Sequence, residues 1–203
     1  MLYTLGQAEL AKTLFPVGGY GKQRIRELAH EMGLLLADKP DSADICFVPD
    51  GDYKSFVRKR LPQTAGVMQD TAGNTVAEHD GVAGFTIGQR KGLGTAFGER
   101  RFVTAIDPAR NIVTVGGEQD LMSSALLAER VNWVTGAAPD APLRAAAKIR
   151  YRTPAASATV TPLDDRRVRV DFDAPQRAIT PGQAVVFYDG DEVLGGGAIE
   201  DRA

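Results

Sequence analysis

The sequence predicts an α+β chain of several small domains: a helical segment over residues 1–61, a small β-rich central domain over 62–125, and an antiparallel β-barrel over 126–203. Three observations carry this. Apolar residues recur at helical spacing before Pro62, turn-forming tetrapeptides separate short β-type runs after it, and strict period-two alternation appears in the last third.

Leu10, Ala11 and Leu14 share a helical face, which predicts a first helix from about Leu5 to Phe15, stopped by Pro16 and Gly18-Gly19. A second follows, because Ile25, Leu28, Ala29 and Met32 recur at i, i+3, i+4 and i+7, while Lys22, Arg26, Glu27 and His30 fall largely elsewhere. Gly33 is placed to end it as the left-handed residue beyond the cap. A third helix is expected from about Gly51 to Arg60, with Tyr53, Phe56, Val57 and Leu61 apolar and Lys54, Arg58, Lys59 and Arg60 basic. The basic face reads first as a solvated surface, with an RNA contact as the alternative. The apolar faces of the first two helices want a sheet as cover, and no run of buried parallel strands is evident. Residues 1–61 are therefore expected to be mobile or to expose an apolar patch.

After Pro62 the punctuation changes. Thr71-Ala72-Gly73-Asn74 joins Val67–Asp70 to Thr75–Glu78 as a hairpin, and Pro108-Ala109-Arg110-Asn111 does the same for Arg101–Asp107 and Ile112–Val115. Between them, Gly88-Gln89-Arg90-Lys91-Gly92-Leu93-Gly94 holds three glycines and two adjacent cations, a composition that suits close approach to a phosphate backbone. It is neither a G-x-x-x-x-G-K-[ST] phosphate loop nor a dinucleotide fingerprint.

Strands are then predicted at Arg144–Tyr151, Ser157–Thr161, Arg167–Phe172, Ala184–Tyr188 and Val193–Ile199, and five or six such strands suggest a small barrel. In Lys148-Ile149-Arg150-Tyr151-Arg152 the three cations are expected to alternate onto one strand face. There they track a phosphate backbone with Tyr151 stacking on a base, or simply cover a solvated barrel wall. Gly195-Gly196-Gly197 reads as a strand distortion needed for closure.

Composition excludes some classes. With 43% hydrophobic and 25% charged residues the chain is globular, and a net charge of −2 gives no overall pull on nucleic acid, so RNA binding must rest on local basic patches. No apolar run approaches the roughly 18 residues that span a bilayer, and Met1-Leu2-Tyr3-Thr4 lacks a basic signal-peptide start; a cytoplasmic, monomeric protein is expected. No His/Cys cluster has metal-ligand spacing, and neither His30 nor His79 has the context of a thiol-hydrolase base. Cys46 is the only cysteine and cannot form an internal disulfide. In Asp41-Ser42-Ala43-Asp44-Ile45-Cys46-Phe47, set between turn formers, it is either a small packed hydrophobe or a presented thiol.

Six ordered motifs resemble the bacterial tRNA-specific 2-thiouridylases. They are Phe15-Pro16-Val17-Gly18 with Lys22 and Arg26; Asp41-Ser42-x-x-Ile45-Cys46-Phe47; Thr86-x-Gly88-Gln89-Arg90-Lys91-Gly92-Leu93-Gly94; Lys148-x-Arg150-Tyr151-Arg152; Thr180-Pro181-Gly182-Gln183-x-x-Val186-Phe187-Tyr188; and Leu194-Gly195-Gly196-Gly197-x-Ile199. The resemblance implies an enzyme that places sulfur on C2 of the wobble uridine of tRNA, using ATP with magnesium and a persulfide from a sulfur-relay protein. By position, Cys46 is the implied persulfide acceptor, and Arg150, Tyr151 and Gln183 the implied tRNA contacts. Lys148, Arg152, Gln89, Arg90 and Lys91 are candidates for tRNA contact or domain packing.

The same resemblance implies absences. The family's S-G-G-x-D-S nucleotide loop and its second cysteine have no counterpart here, so residues 1–61 correspond to a helical remnant of an α/β pyrophosphatase-loop domain, with the ATP site absent. The chain is thus expected to be inactive alone. A non-catalytic tRNA-binding module is the alternative.

Overall fold

In a computed structural model, residues 2–39, 53–60 and 64–203 are described. The chain divides into two compact units, Leu10–Pro62 and a larger one of Met1–Glu9 with Gln63–Ala203.

Helix α1 (Gln7–Leu10) is one turn, shorter than the helix expected from Leu5 to Phe15. The Thr13 N–H closes back on the Leu10 carbonyl at 3.1 Å, and Phe15 precedes Pro16, which disfavours the helical conformation there. Helix α2 (Lys22–Glu31) matches its periodicity. It ends as expected on Gly33, with φ of 67°. The Gly33 N–H bonds the His30 carbonyl and the Leu34 N–H bonds Ala29, both at 2.9 Å, satisfying two terminal carbonyls in a Schellman arrangement. Arg24 bridges Glu27 and Glu31 on the outer face at 3.2 and 2.8 Å. The expected apolar exposure is present: Leu14, Phe15, Val17, Tyr20, Met32, Leu34, Leu35 and Leu36 are all exposed. Helix α3 (Tyr53–Arg58) lies within the predicted third helix, whose first residues are outside the described ones. Arg60 stacks its guanidinium 3.5 Å from the Phe56 ring centroid, so one cation of the supposed basic face folds onto its own helix.

The larger unit holds two sheets. The first comprises β1 (Gly66–Gln69), β2 (Thr75–His79), β3 (Phe102–Asp107) and β4 (Ile112–Gly116) in the order β2-β1-β4-β3. Both predicted hairpins are present, but β1 and β4 pair in parallel, which makes the sheet mixed. Asp70 fixes the first turn by accepting the Ala72 and Asn74 N–H groups, each at 2.9 Å. Met68, Leu93, Val103, Val113 and Val115 form the core of this sheet.

The second sheet is a closed barrel of β5 (Met122–Trp133), β6 (Leu143–Lys148), β7 (Ala156–Pro162), β8 (Val168–Arg177), β9 (Ala184–Asp189) and β10 (Glu192–Arg202), in the order β10-β5-β8-β7-β6-β9. The alternation in β8 places Val168, Val170 and Phe172 in the core, while Arg169 pairs outside with Asp171 at 2.8 Å. Strand β5 was not legible: its apolar residues follow no period of two, because Arg130 at φ of 53° and two register shifts against β10 break the alternation.

The glycine triplet explains the closure. A Cβ on Gly196 would lie 2.5 Å from the Val185 carbonyl oxygen and 2.9 Å from the Tyr3 ring, and one on Gly195 would lie 2.5 Å from the Asn132 carbonyl. Residues 2–5 therefore lie on β10 and β5, tied by Asn132 Nδ2 donating to the Tyr3 carbonyl at 2.8 Å. Gly196→Ala is expected to destabilise the unit by on the order of 1–3 kcal/mol, the usual cost of overpacking, read as a lower thermal midpoint.

Phe102, Leu121 and Ala178, with Ile87 against them, form a third buried cluster joining the small sheet to the barrel. Among the described residues no helix is long and apolar enough to cross a membrane.

Candidate nucleic-acid interface

Strand β6 carries the first candidate residues. Its ladder ends at Lys148, which faces Val186 of β9, and Ile149 then turns into the core. The expected alternation of Lys148, Arg150 and Arg152 on one strand face is therefore not what forms. The chain bends instead, Thr153 Oγ1 donates to the Arg150 carbonyl at 3.2 Å, and Pro154 follows with no N–H to extend a ladder. The bend separates the side chains by role. Tyr151 stands at the tip, 92% exposed, with the Lys148 ammonium 5.9 Å from its ring centroid. Arg152 is exposed beside it.

Arg150 turns inward. Its Nη2 donates to the Ala178 carbonyl at 2.7 Å and contacts Thr180 Oγ1 at 3.4 Å. Burial, with the Arg177 charge adding to it, holds its pKa below the usual arginine value, yet a guanidinium stays charged at any physiological pH. Ala178 itself is fully buried with φ of 53°, a conformation costly for a side chain other than glycine, and its N–H bonds the Leu121 carbonyl at 2.8 Å. This anchor was missed in the sequence. A left-handed alanine leaves no compositional mark.

Thr180-Pro181-Gly182-Gln183 is a turn of the second type, with Gly182 at φ of 82° and the Gln183 N–H on the Thr180 carbonyl at 3.2 Å. It holds Gln183 exposed at the same barrel end, where β9 begins.

The glycine-rich loop resolves into two parts. Gln89 is structural: its Oε1 accepts the Thr86 N–H and its Nε2 donates to the Lys91 carbonyl, both at 3.0 Å. Leu93 is buried in the small sheet's core, while Arg90 and Lys91 stay exposed. Gly88 meets the barrel, for a Cβ there would stand 3.2 Å from the Ala178 Cβ and 3.6 Å from Arg177 Nη1. The loop and the β8 end thus meet at one point.

Charge separates this barrel end from the walls. On the walls arginines are neutralised, as in Arg144–Asp173 at 2.6 Å and Arg167–Glu200 at 3.1 Å. Among the described residues, Lys148, Arg150, Arg152, Arg90 and Lys91 have no carboxylate partner. At the opposite end of the barrel a cleft of about 600 Å³ is lined by Trp133 and by Asp140, Asp164 and Asp165. Cys46 lies outside the described residues.

These features define a class: a multidomain protein that pairs a small mixed sheet with a closed antiparallel barrel having one basic, aromatic-tipped end. Domain models match the chain in consecutive segments: a tRNA methyl transferase HUP domain over residues 1–50, a tRNA methyl transferase PRC-barrel domain over 54–117, and an aminomethyltransferase beta-barrel domain over 123–199. The tRNA-specific 2-thiouridylase MnmA of Roseiflexus castenholzii is 51% identical over 201 residues, covering 98% of this chain and 54% of the relative. Those of Heliobacterium modesticaldum and Moorella thermoacetica are each 48% identical, covering 98% and 100% of this chain and 52% and 57% of the relatives. The chain belongs to the tRNA-specific 2-thiouridylase family. It spans about half the length of the curated relatives it matches.

Proposed function

We propose that this chain supplies the tRNA grip and the sulfur-accepting cysteine of a tRNA-uridine 2-sulfurtransferase acting on the wobble uridine in the cytoplasm. The observation that supports this most is the barrel end, where a 92% exposed Tyr151 stands among cations that lack carboxylate partners, in a family whose relatives are named for tRNA thiolation. Tyr151 stacks on a base, Arg150 and Gln183 hold the tRNA body, and Lys148, Arg152, Arg90 and Lys91 attract its backbone. Cys46, as a thiolate, takes the terminal sulfur of a relay protein's persulfide, whose S–S bond breaks to release the donor thiolate.

The family reaction draws on ATP and magnesium to activate the uridine oxygen. The described residues do not fit that group. The Gly88–Gly94 loop opens no helix, and no set of three or more His, Cys, Asp or Glu side chains among the described residues could hold a metal ion. The chain's own part is therefore binding and sulfur acceptance, and alone it does not thiolate tRNA.

Mass spectrometry after exposure to a persulfide donor tests this: the chain is expected to gain one sulfur, Cys46→Ser none, and added tRNA and ATP no thiouridine. Thiouridine formation would overturn the division of labour. A second reading, a non-catalytic tRNA-binding module acting as a monomer, rests on the exposed Tyr151 and its neighbouring cations alone. It predicts a native Cys46 that resists alkylation and takes up no sulfur.

A further inference from the structure

We infer that Arg177 and Arg150 together form a seat for one phosphodiester of bound RNA, at the point where the glycine-rich loop meets the barrel end. The inference rests on the tRNA-binding reading and adds a residue to it. Arg177 ends β8, immediately before the left-handed Ala178 whose carbonyl holds Arg150, so one short segment fixes both guanidiniums. Its own guanidinium lies 5.1 Å from the Phe102 ring centroid and close to the site of Gly88. That cation–π contact helps hold the group in place while leaving N–H groups to donate. Arg150 uses Nη2 on the Ala178 carbonyl and has further N–H groups to spare.

The pair lacks a matching counter-charge. Arg150 has no carboxylate partner among the described residues, and Arg177 has only Glu118, at 3.4 Å from its Nε, with the Glu118 side chain 64% exposed. Burial and, after it, the Arg177 charge hold the Arg150 pKa down, and a phosphate beside the pair relieves both. Gly88 fits the same purpose. Its φ of 86° and the missing Cβ let the loop backbone pack against the Ala178 Cβ beside Arg177, which holds the loop at the seat. Glu118 then acts as a placeholder that RNA displaces.

The test is binding of an unmodified tRNA transcript to the full chain across a salt series. Arg177→Ala is expected to weaken binding about tenfold or more. It should also lower the slope of log affinity against log salt by about one. Arg177→Lys keeps the charge, and so the slope, while losing part of the affinity. Glu118→Gln, which leaves the fold's apolar contacts intact, should tighten binding roughly two- to five-fold at low salt. The Arg150→Ala, Arg177→Ala double variant should lose less than the product of the single losses, because both groups hold one phosphate. If Arg177→Ala leaves slope and affinity unchanged while Tyr151→Ala weakens binding, the seat is wrong and the tRNA reading stands. If neither Tyr151→Ala nor Arg150→Ala weakens binding, both fall.

Discussion

Tyr151→Ala is expected to weaken tRNA binding about 10- to 100-fold while leaving the stability of the chain unchanged. The two halves of this result have separate causes. A base stacked on an aromatic ring contributes roughly 1–3 kcal/mol by alanine substitution, and each 1.4 kcal/mol is a factor of ten. The ring is 92% exposed, so its removal uncovers no core and leaves no buried group unpaired. The cation beside it matters little, because a Lys148 ammonium at 5.9 Å is at the outer limit of a ring contact. Filter binding and a thermal melt on the same preparation check both halves. Tyr151→Phe should keep most of the affinity. A variant that bound normally would remove the stacking role. Arg150→Ala makes the contrast, since it should lower affinity and also cost about 0.5–1.5 kcal/mol of stability by taking a donor from the Ala178 carbonyl, which keeps only its bond from Thr180 Oγ1 at 2.9 Å.

Phe187→Ala is expected to destabilise the barrel by about 3–5 kcal/mol. Phe187 is fully buried in β9, and its ring lies 5.7 Å from that of Trp133 across the barrel interior. A small closed barrel has little freedom to collapse around a lost ring, because the surrounding backbone is held in ladders on both sides of each strand. The cost therefore belongs at the upper part of the range. Trp133 is the only tryptophan, so urea unfolding followed by its fluorescence reports this event directly. Its ring lies beside that of Phe187, so the loss of the Phe187 ring changes its immediate surroundings. A loss below about 1 kcal/mol would show that the interior relaxes to fill the space.

Much of the fold was written in local pattern. Alternation in Val168, Val170 and Phe172, the Asp70–Asn74 turn and Gly33 beyond α2 each require only the physics of a few neighbouring residues. What escaped was set by distant partners. Strand β5 has its register broken against β10, and the parallel pairing of β1 with β4 joins segments that no hairpin connects. The site shows the same division. Tyr151 was legible as an aromatic among cations, but the inward turn of Arg150 depends on a carbonyl 28 residues away, and Arg177 gains meaning only from Phe102, Glu118 and Gly88.

Closure of the barrel between β5 and β10 also sets an order of events during synthesis. The two strands that seal the cylinder are the first and the last of its six, with Trp133 facing Gly195. Until the Glu192–Arg202 segment has left the ribosome, β5 and β9 each carry an unpaired edge, and residues 2–5 have no complete surface to lie on. Such edges invite pairing with other chains. The barrel is therefore exposed to misassembly until its sixth strand arrives, and a ribosome stalled before that point would display an open, adhesive sheet.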